Sequence, residues 1–269
     1  MIVPLASAID PAIYGGKAIQ LGQAIRAGLP VPPGYAVSVD ALAALCRGDS
    51  EIAVRIEEIA GELGPPIATR SSAVGEDAVD ASFAGQHATV LNLISPAAIV
   101  EGLREVYLSA HSGGAVAYRQ RKKIEGPIQI AAVVQKLVEP RCAGVMFTRH
   151  PLTGADEFVI EAAWGLGEAV VQGMVTPDHY RIGRDGQVLE ERLGDKPTAM
   201  RSLPDGGTEE REVAPELVEM SCLDGGDIRR LAELALQCEA VFGNNLDLEW
   251  AFTDGALYLL QSRPITTRF

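Results

Sequence analysis

One stretch constrains the fold more than any other: Leu246-Asp-Leu-Glu-Trp-Ala-Phe-Thr-Asp-Gly-Ala-Leu-Tyr-Leu-Leu-Gln-Ser-Arg263, two runs of mostly alternating character around an Asp254-Gly255 turn signal. An Asp-Gly pair between such runs predicts a β-hairpin. Strand side chains alternate between faces, so a slip of one residue moves every side chain of one strand to the other face. A two-residue loop pairs Thr253 with Ala256 and sends Glu249 and Gln261 to opposite faces. A three-residue loop, with Gly255 in the left-handed position, pairs Phe252 with Ala256 and Asp247 with Gln261. In that register Leu246, Leu248, Trp250, Phe252, Tyr258 and Leu260 share one face, and Asp247, Glu249, Gln261 and Arg263 share the other. Burial favours the second register. It predicts two carboxylates, an amide and a guanidinium side by side. Hard oxygen donors of that kind suit Mg²⁺ beside phosphates, and the arginine fork suits a phosphate. The same residues also read as the solvated face of an amphipathic hairpin.

Helical patterning is expected over 11–27, from Ser38 or Asp40 to about Cys46, over Ile52–Leu63, over 96–121 and over 225–242. Gly28 suits the end of the first helix, and Pro30, Pro32 and Pro33 forbid its continuation. Strands are expected at Tyr35–Ser38, in the apolar run Ile128–Val138, at Ala143–Thr148 and at Glu157–Ala163. A further hairpin is expected around Asp185-Gly186. Residues 67–70 enter a Ser-, Gly-, Ala- and Asp-rich stretch, 71–86, that reads as a surface loop. Helices interspersed with late antiparallel hairpins give an α+β class with two lobes, 1–136 and 137–269.

The chain has 269 residues, 47% hydrophobic and 22% charged, as expected for a globular protein. No apolar run is long enough to cross a bilayer, and the first residues lack the basic segment of a secretory signal. A cytoplasmic location is the expectation. The formal net charge of −13 argues against nonspecific nucleic-acid binding, which needs a basic field. It leaves room for a small anion in a locally positive pocket. Cys46, Cys142, Cys222 and Cys238 form no Cys-x-x-Cys pair, and His87, His111, His150 and His179 are dispersed. Neither set has metal-site spacing.

Arg70-Ser71-Ser72-Ala73 opens the small-residue stretch, and small residues let backbone amides approach an anion. No phosphate-binding G-x-x-x-x-G-K-[ST] spacing occurs. On these residues alone, a loop without a ligand is an equal reading. Gly15-Gly16-Lys17 is also a weak signal by itself.

Several segments, in order, resemble the ATP-binding domain of the phosphoenolpyruvate synthase and pyruvate phosphate dikinase family, which rifampin phosphotransferases share. They are Gly15-Gly16-Lys17-Ala18, Gly28-Leu-Pro-Val-Pro-Pro-Gly-Tyr35, Arg70-Ser-Ser-Ala73 with Glu76-Asp77, Ala81-Ser-Phe-Ala-Gly-Gln86, Gly144-Val-Met-Phe-Thr148, Gly165-Leu-Gly-Glu168, Val175-Thr-Pro-Asp178 and Leu260-Gln-Ser-Arg-Pro264. The resemblance implies an ATP-grasp-like fold with ATP in the cleft between two lobes. It implies Lys17, Arg70 and Arg263 on the phosphates and Thr89 near the phosphate tail. Gln135, Lys136 and Leu137 would meet adenine through backbone groups. Glu249 and Gln261 would hold Mg²⁺, with Asp247 in support.

In that family a histidine on a separate swivelling domain receives the phosphoryl or pyrophosphoryl group. None of the four histidines here lies in such a motif, and the neighbours of His87 do not suit a nucleophile. The stretch between Leu45 and Arg70 is tens of residues shorter than the family usually has. The leading expectation is an ATP-dependent phosphotransferase unit acting on a partner's histidine or on a small molecule. A non-catalytic ATP-binding module and an ATP-grasp ligase are the alternatives.

Overall fold

The computed structural model describes residues 1–75, 88–113 and 128–265. Glu76-Asp77, the segment Ala81–Gln86 and His87 lie outside the described residues, as does the end of the helix expected over 96–121. The chain divides into two compact units. The first is Met1–Ile25, Pro32–Leu137 and Leu203–Gly207, and the second is Arg26–Val31, Val138–Ser202 and Thr208–Phe269.

The first unit is built on a five-stranded antiparallel sheet. Its strands are β1 (Ile2–Pro4), β2 (Gly34–Val37), β3 (Ile67–Ala73), β4 (Thr89–Leu93) and β5 (Ile130–Lys136), in the order β1-β2-β5-β3-β4. Three helices cover one face: α2 (Val39–Cys46), α3 (Ser50–Leu63) and α4 (Pro96–Ala110). Each begins where a side-chain oxygen takes a free amide. Ser38 accepts from Ala41 at 3.2 Å, Asp49 from Glu51 at 3.0 Å, and Ser95 from Ala98 at 3.2 Å. Leu42, Leu45, Ile56, Ile59, Leu103 and Val106 pack against Ile67, Ala132 and Val134 of the sheet. That apolar layer fixes which face of each strand meets the helices. Asn92 has φ 56° and donates to the carbonyls of Leu203 at 2.7 Å and Gly207 at 2.6 Å, which groups residues 203–207 with this unit.

Two expectations need correction. Ser71–Ala73 is not loop but the end of β3, an interior strand between β5 and β4. The Ser71 amide donates to Ala88. The apolar run expected to span 128–138 is strand only over Ile130–Lys136.

The second unit holds a six-stranded antiparallel sheet in the order β13-β12-β6-β7-β8-β9. Its strands are β6 (Cys142–Phe147), β7 (Phe158–Trp164), β8 (Asp178–Ile182), β9 (Val188–Arg192), β12 (Leu246–Phe252) and β13 (Leu257–Pro264). A separate hairpin joins β10 (Thr198–Ser202) to β11 (Thr208–Glu212), and a short α5 (Glu168–Val171) follows β7. The long α6 (Gly225–Phe242) starts at a capping box in which Asp224 and Asp227 each accept from the other's backbone amide. It packs on β12 and β13, and the Arg230 guanidinium lies 5.1 Å from the Phe252 ring centre. No helix among the described residues is long and apolar enough to cross a membrane.

A fully buried ion pair ties this unit together. Asp178 accepts from the amides of Gly194 at 2.8 Å and Cys222 at 2.9 Å, and from the Lys196 ammonium. Both side chains have no solvent exposure. Removing one member of such a pair strands the other charge. Lys196→Met is therefore expected to cost about 3–5 kcal/mol of unfolding free energy in a denaturant titration. A change within error of zero would show that the pair carries no net stability.

Candidate functional site

In the first unit the helix-facing side chains of β3 are Ile67, Thr69 and Ser71, so Ala68, Arg70 and Ser72 point to the opposite face. Thr89 is directly paired with Arg70 across the sheet and shares that face. Two expected residues, Arg70 and Thr89, are thus neighbours.

Lys17 reaches the same strand by a different route. The helix α1 (Pro11–Arg26) is broken at Gly15, whose backbone has φ 71° and ψ 168°. The continuous part starts just beyond it. Lys17 is 7% exposed. Ser72 accepts a hydrogen bond from the Ala18 amide at 3.0 Å and donates one to the Tyr14 carbonyl at 2.7 Å. A Cβ on Gly15 would lie 2.1 Å from the Ser72 carbonyl oxygen. Glycine is required there on two counts, conformation and contact.

Gln135, Lys136 and Leu137 end β5 and lead out of it. Gln135 is buried, and its side-chain amide donates to the Pro32 carbonyl at 2.9 Å. The Lys136 ammonium donates to the carbonyls of Gly64 at 3.0 Å and Pro65 at 2.7 Å. The backbone amides of Lys136 and Leu137 donate to Pro33 at 2.9 Å and Pro66 at 3.0 Å. Neither residue has an amide proton left for a nucleobase.

In the second unit the terminal hairpin brings the four expected polar residues to one face by a route other than the expected one. The tight turn is the two-residue form: the Thr253 amide donates to the Ala256 carbonyl at 2.9 Å, and Phe252 pairs with Leu257. Trp250 then pairs with Leu259, and the register shifts so that Glu249 pairs with Gln261 and Asp247 with Arg263. Leu260 is the extra residue of a β-bulge. The expected pairing of Phe252 with Ala256 and Asp247 with Gln261 is corrected. Leu257 and Leu259, not Tyr258 and Leu260, are the buried apolar residues of β13. The bulge restores the phase that the short turn would have lost. Glu249 and Gln261 face each other directly, as two hard oxygen donors suited to Mg²⁺.

The Arg263 guanidinium donates from Nε to one oxygen of Asp247 at 2.9 Å, and its Nη2 lies 2.8 Å from the same oxygen. Burial pushes the Asp247 carboxyl above the usual carboxylate range. The Arg263 charge opposes that shift, and the charges of Glu249 and Glu161 add to it. Asp247 is placed to orient Arg263, while Arg263 stays half-exposed.

The ladder also shows a residue that sequence reasoning missed. Glu249 pairs with Val145, Val145 with Glu161, and Glu161 with His179. Directly opposed residues share a face, so Glu161 and His179 lie on the face of the polar quartet. His179 Nδ1 is 3.9 Å from Glu161 Oε1. Burial is the main cause that holds the His179 imidazole below its ordinary value. The one signal in the sequence was a single charge inside the apolar run Phe158-Val-Ile-Glu161-Ala-Ala163.

A family model described as the pyruvate phosphate dikinase AMP/ATP-binding domain matches residues 49–268. The chain belongs to this family. Every expected site residue except Lys17 lies within the matched range. A probable phosphoenolpyruvate synthase of Methanothermobacter thermautotrophicus is 36% identical over 96% of this chain and 44% of its own length. A rifampicin phosphotransferase of Streptomyces sviceus is 35% identical over 96% of this chain and 35% of its own. A prodigiosin-synthesizing transferase of Serratia marcescens is 33% identical over 97% of this chain and 32% of its own. The chain thus spans less than half the length of these relatives. Among solved structures, a D-alanine–D-alanine ligase of Bacillus anthracis has a TM-score of 0.43 at 12% identity, covering 96% of this chain and 57% of that one. That likeness is too remote to bear on function.

The Gly15 contact makes its own prediction. Gly15→Ala is expected to lower unfolding free energy by about 2 kcal/mol or more, from forced backbone conformation and overlap with Ser72. A thermal melt reads the loss. An unchanged melting temperature would mean that the close approach is not maintained in solution.

Proposed function

We propose that this chain is the nucleotide-binding unit of an ATP-dependent phosphotransferase. It binds Mg-ATP and presents a phosphoryl or pyrophosphoryl group to an acceptor, either a histidine of a partner domain or a small molecule. The observation that carries the reading is the direct pairing of Glu249 with Gln261, beside the Asp247–Arg263 pair, in a chain of the dikinase AMP/ATP-binding family.

In this reading each group has one task. Lys17 and Arg70 neutralise phosphate oxygens, and Thr89, beside Arg70, offers a hydroxyl to the phosphate tail. Arg263, oriented by Asp247, holds a further phosphate oxygen through its planar fork. Glu249 and Gln261 would hold Mg²⁺, which when bound would supply charge neutralisation to the phosphates. Gln135, Lys136 and Leu137 border the nucleobase and contribute carbonyl oxygens, since two of their amide protons are already used. Phosphoryl transfer needs little covalent chemistry from the protein. Positioning and electrostatic stabilisation carry most of the catalysis. The acceptor's nucleophilic atom forms a bond to phosphorus as the bridging oxygen leaves with the nucleotide. ADP is the product if one phosphoryl group moves, and AMP if a pyrophosphoryl group moves.

Calorimetric titration of the chain with Mg-ATP is the test. Binding is expected for the unaltered chain, weakened roughly ten- to a hundredfold in Lys17→Ala and in Glu249→Gln, the range for losing a hydrogen bond to a charged group. No binding at millimolar nucleotide would remove the proposal. Binding with no nucleotide turnover, when acceptors and histidine-domain proteins are supplied, would reduce it to a nucleotide-sensing module.

A further inference from the structure

The contact between β3 and α1 assigns a task to a residue that the proposed chemistry does not use. A helix start leaves amide protons without partners, and the residue just before the helix usually caps one with its own side-chain oxygen. Gly15 has no side chain to do so. Ser72, 54 residues along the chain from Ala18, supplies the oxygen instead. The bonded amide belongs to the peptide that joins Lys17 to Ala18. The Ser72 hydroxyl also anchors the Tyr14 carbonyl at 2.7 Å, on the other side of the break at Gly15. Ser72 is fully buried. One hydroxyl therefore fixes both sides of the break.

Ser72 lies two residues from Arg70 on the same strand, so the two side chains point to one face. The Gly15 backbone presses on the Ser72 carbonyl, where a Cβ would come within 2.1 Å. The cation of α1 and the cation of β3 are thus held in one rigid frame with Ser72 as the joint.

We infer that Ser72 is a positioning residue for triphosphate binding: it caps the Lys17 helix from the neighbouring strand and thereby sets the spacing of Lys17 and Arg70. This rests on the reading that both cations hold phosphates. It differs from a general packing role, because its effect must pass through Lys17 and must be confined to the phosphates.

The test is a double-mutant cycle on the full chain with two probes, Mg-ATP and adenosine. Ser72→Ala is expected to weaken Mg-ATP about tenfold, the scale of one buried hydrogen bond, and to leave adenosine affinity unchanged. In a Lys17→Ala background the same substitution should cost little further, since coupled residues are not additive. Should Ser72→Ala not fold, Ser72→Cys keeps a weaker donor and acceptor in nearly the same volume and is expected to give a smaller loss of the same pattern. Equal weakening of ATP and adenosine, or full additivity with Lys17→Ala, would overturn the positioning role alone. Unchanged ATP affinity in Lys17→Ala would overturn the phosphate reading and this inference with it.

Discussion

The alternation of side chains along a β-strand is the constraint on which the rest depends. Each unit has a sheet with one face committed to helices by apolar burial. Ile67, Ala132 and Val134 do this in the first unit, and Leu248, Trp250 and Phe252 in the second. Once those positions are buried, the residues between them have no choice of side. Arg70 and Ser72 must share a face, and so must Asp247 and Glu249. Placement of the charged groups is thus a by-product of core formation. No special local strain is needed to aim these strand residues.

The terminal hairpin shows how far this logic could be read from sequence. The face was legible, because the apolar set Leu246, Leu248, Trp250 and Phe252 has strict period two. The route was not. Burial determines which side chains go inward but not where a strand takes up an extra residue. The chain uses the tighter Asp254-Gly255 turn and absorbs the odd residue at Leu260. The two adjacent leucines, Leu259 and Leu260, are where the alternation of β13 fails, and they mark the bulge. The cap at Ser38 was readable, since a capping oxygen is a local requirement, whereas Asp49, Ser95 and Asp224 cap the other helices without having been read as caps.

The strand β3 was misread for a physical reason. Thr69-Arg-Ser-Ser-Ala73 has the composition of a loop, yet it pairs with β5 along its whole length and with β4 at Thr69 and Arg70. At Ser72 a small residue is required because α1 presses against it, with Gly15 on the Ser72 backbone. Propensity describes a residue's own preferences and cannot report a neighbour that arrives from a distant part of the chain. The hairpin of β10 and β11 escaped notice because charged residues occupy both of its faces. Glu161 escaped because its meaning depends on a cross-strand partner, not on its own segment.

The electrostatics of the two units differ in kind. The chain is strongly acidic overall, yet in the first unit Lys17 is nearly buried on α1, whose backbone is held to β3 at Ser72, two residues from Arg70. On the other unit the carboxylates of Asp247, Glu249 and Glu161 act on one another, with Arg263 paired to Asp247. One set suits an anion and the other a cation. The most direct measurement is a crystal structure of the chain with Mg²⁺ and a non-hydrolysable ATP analogue. The account predicts a metal ion ligated by Glu249 and Gln261, and phosphates touching Lys17, Arg70 and Arg263. A nucleotide bound without those side chains, or a metal seated elsewhere, would contradict it.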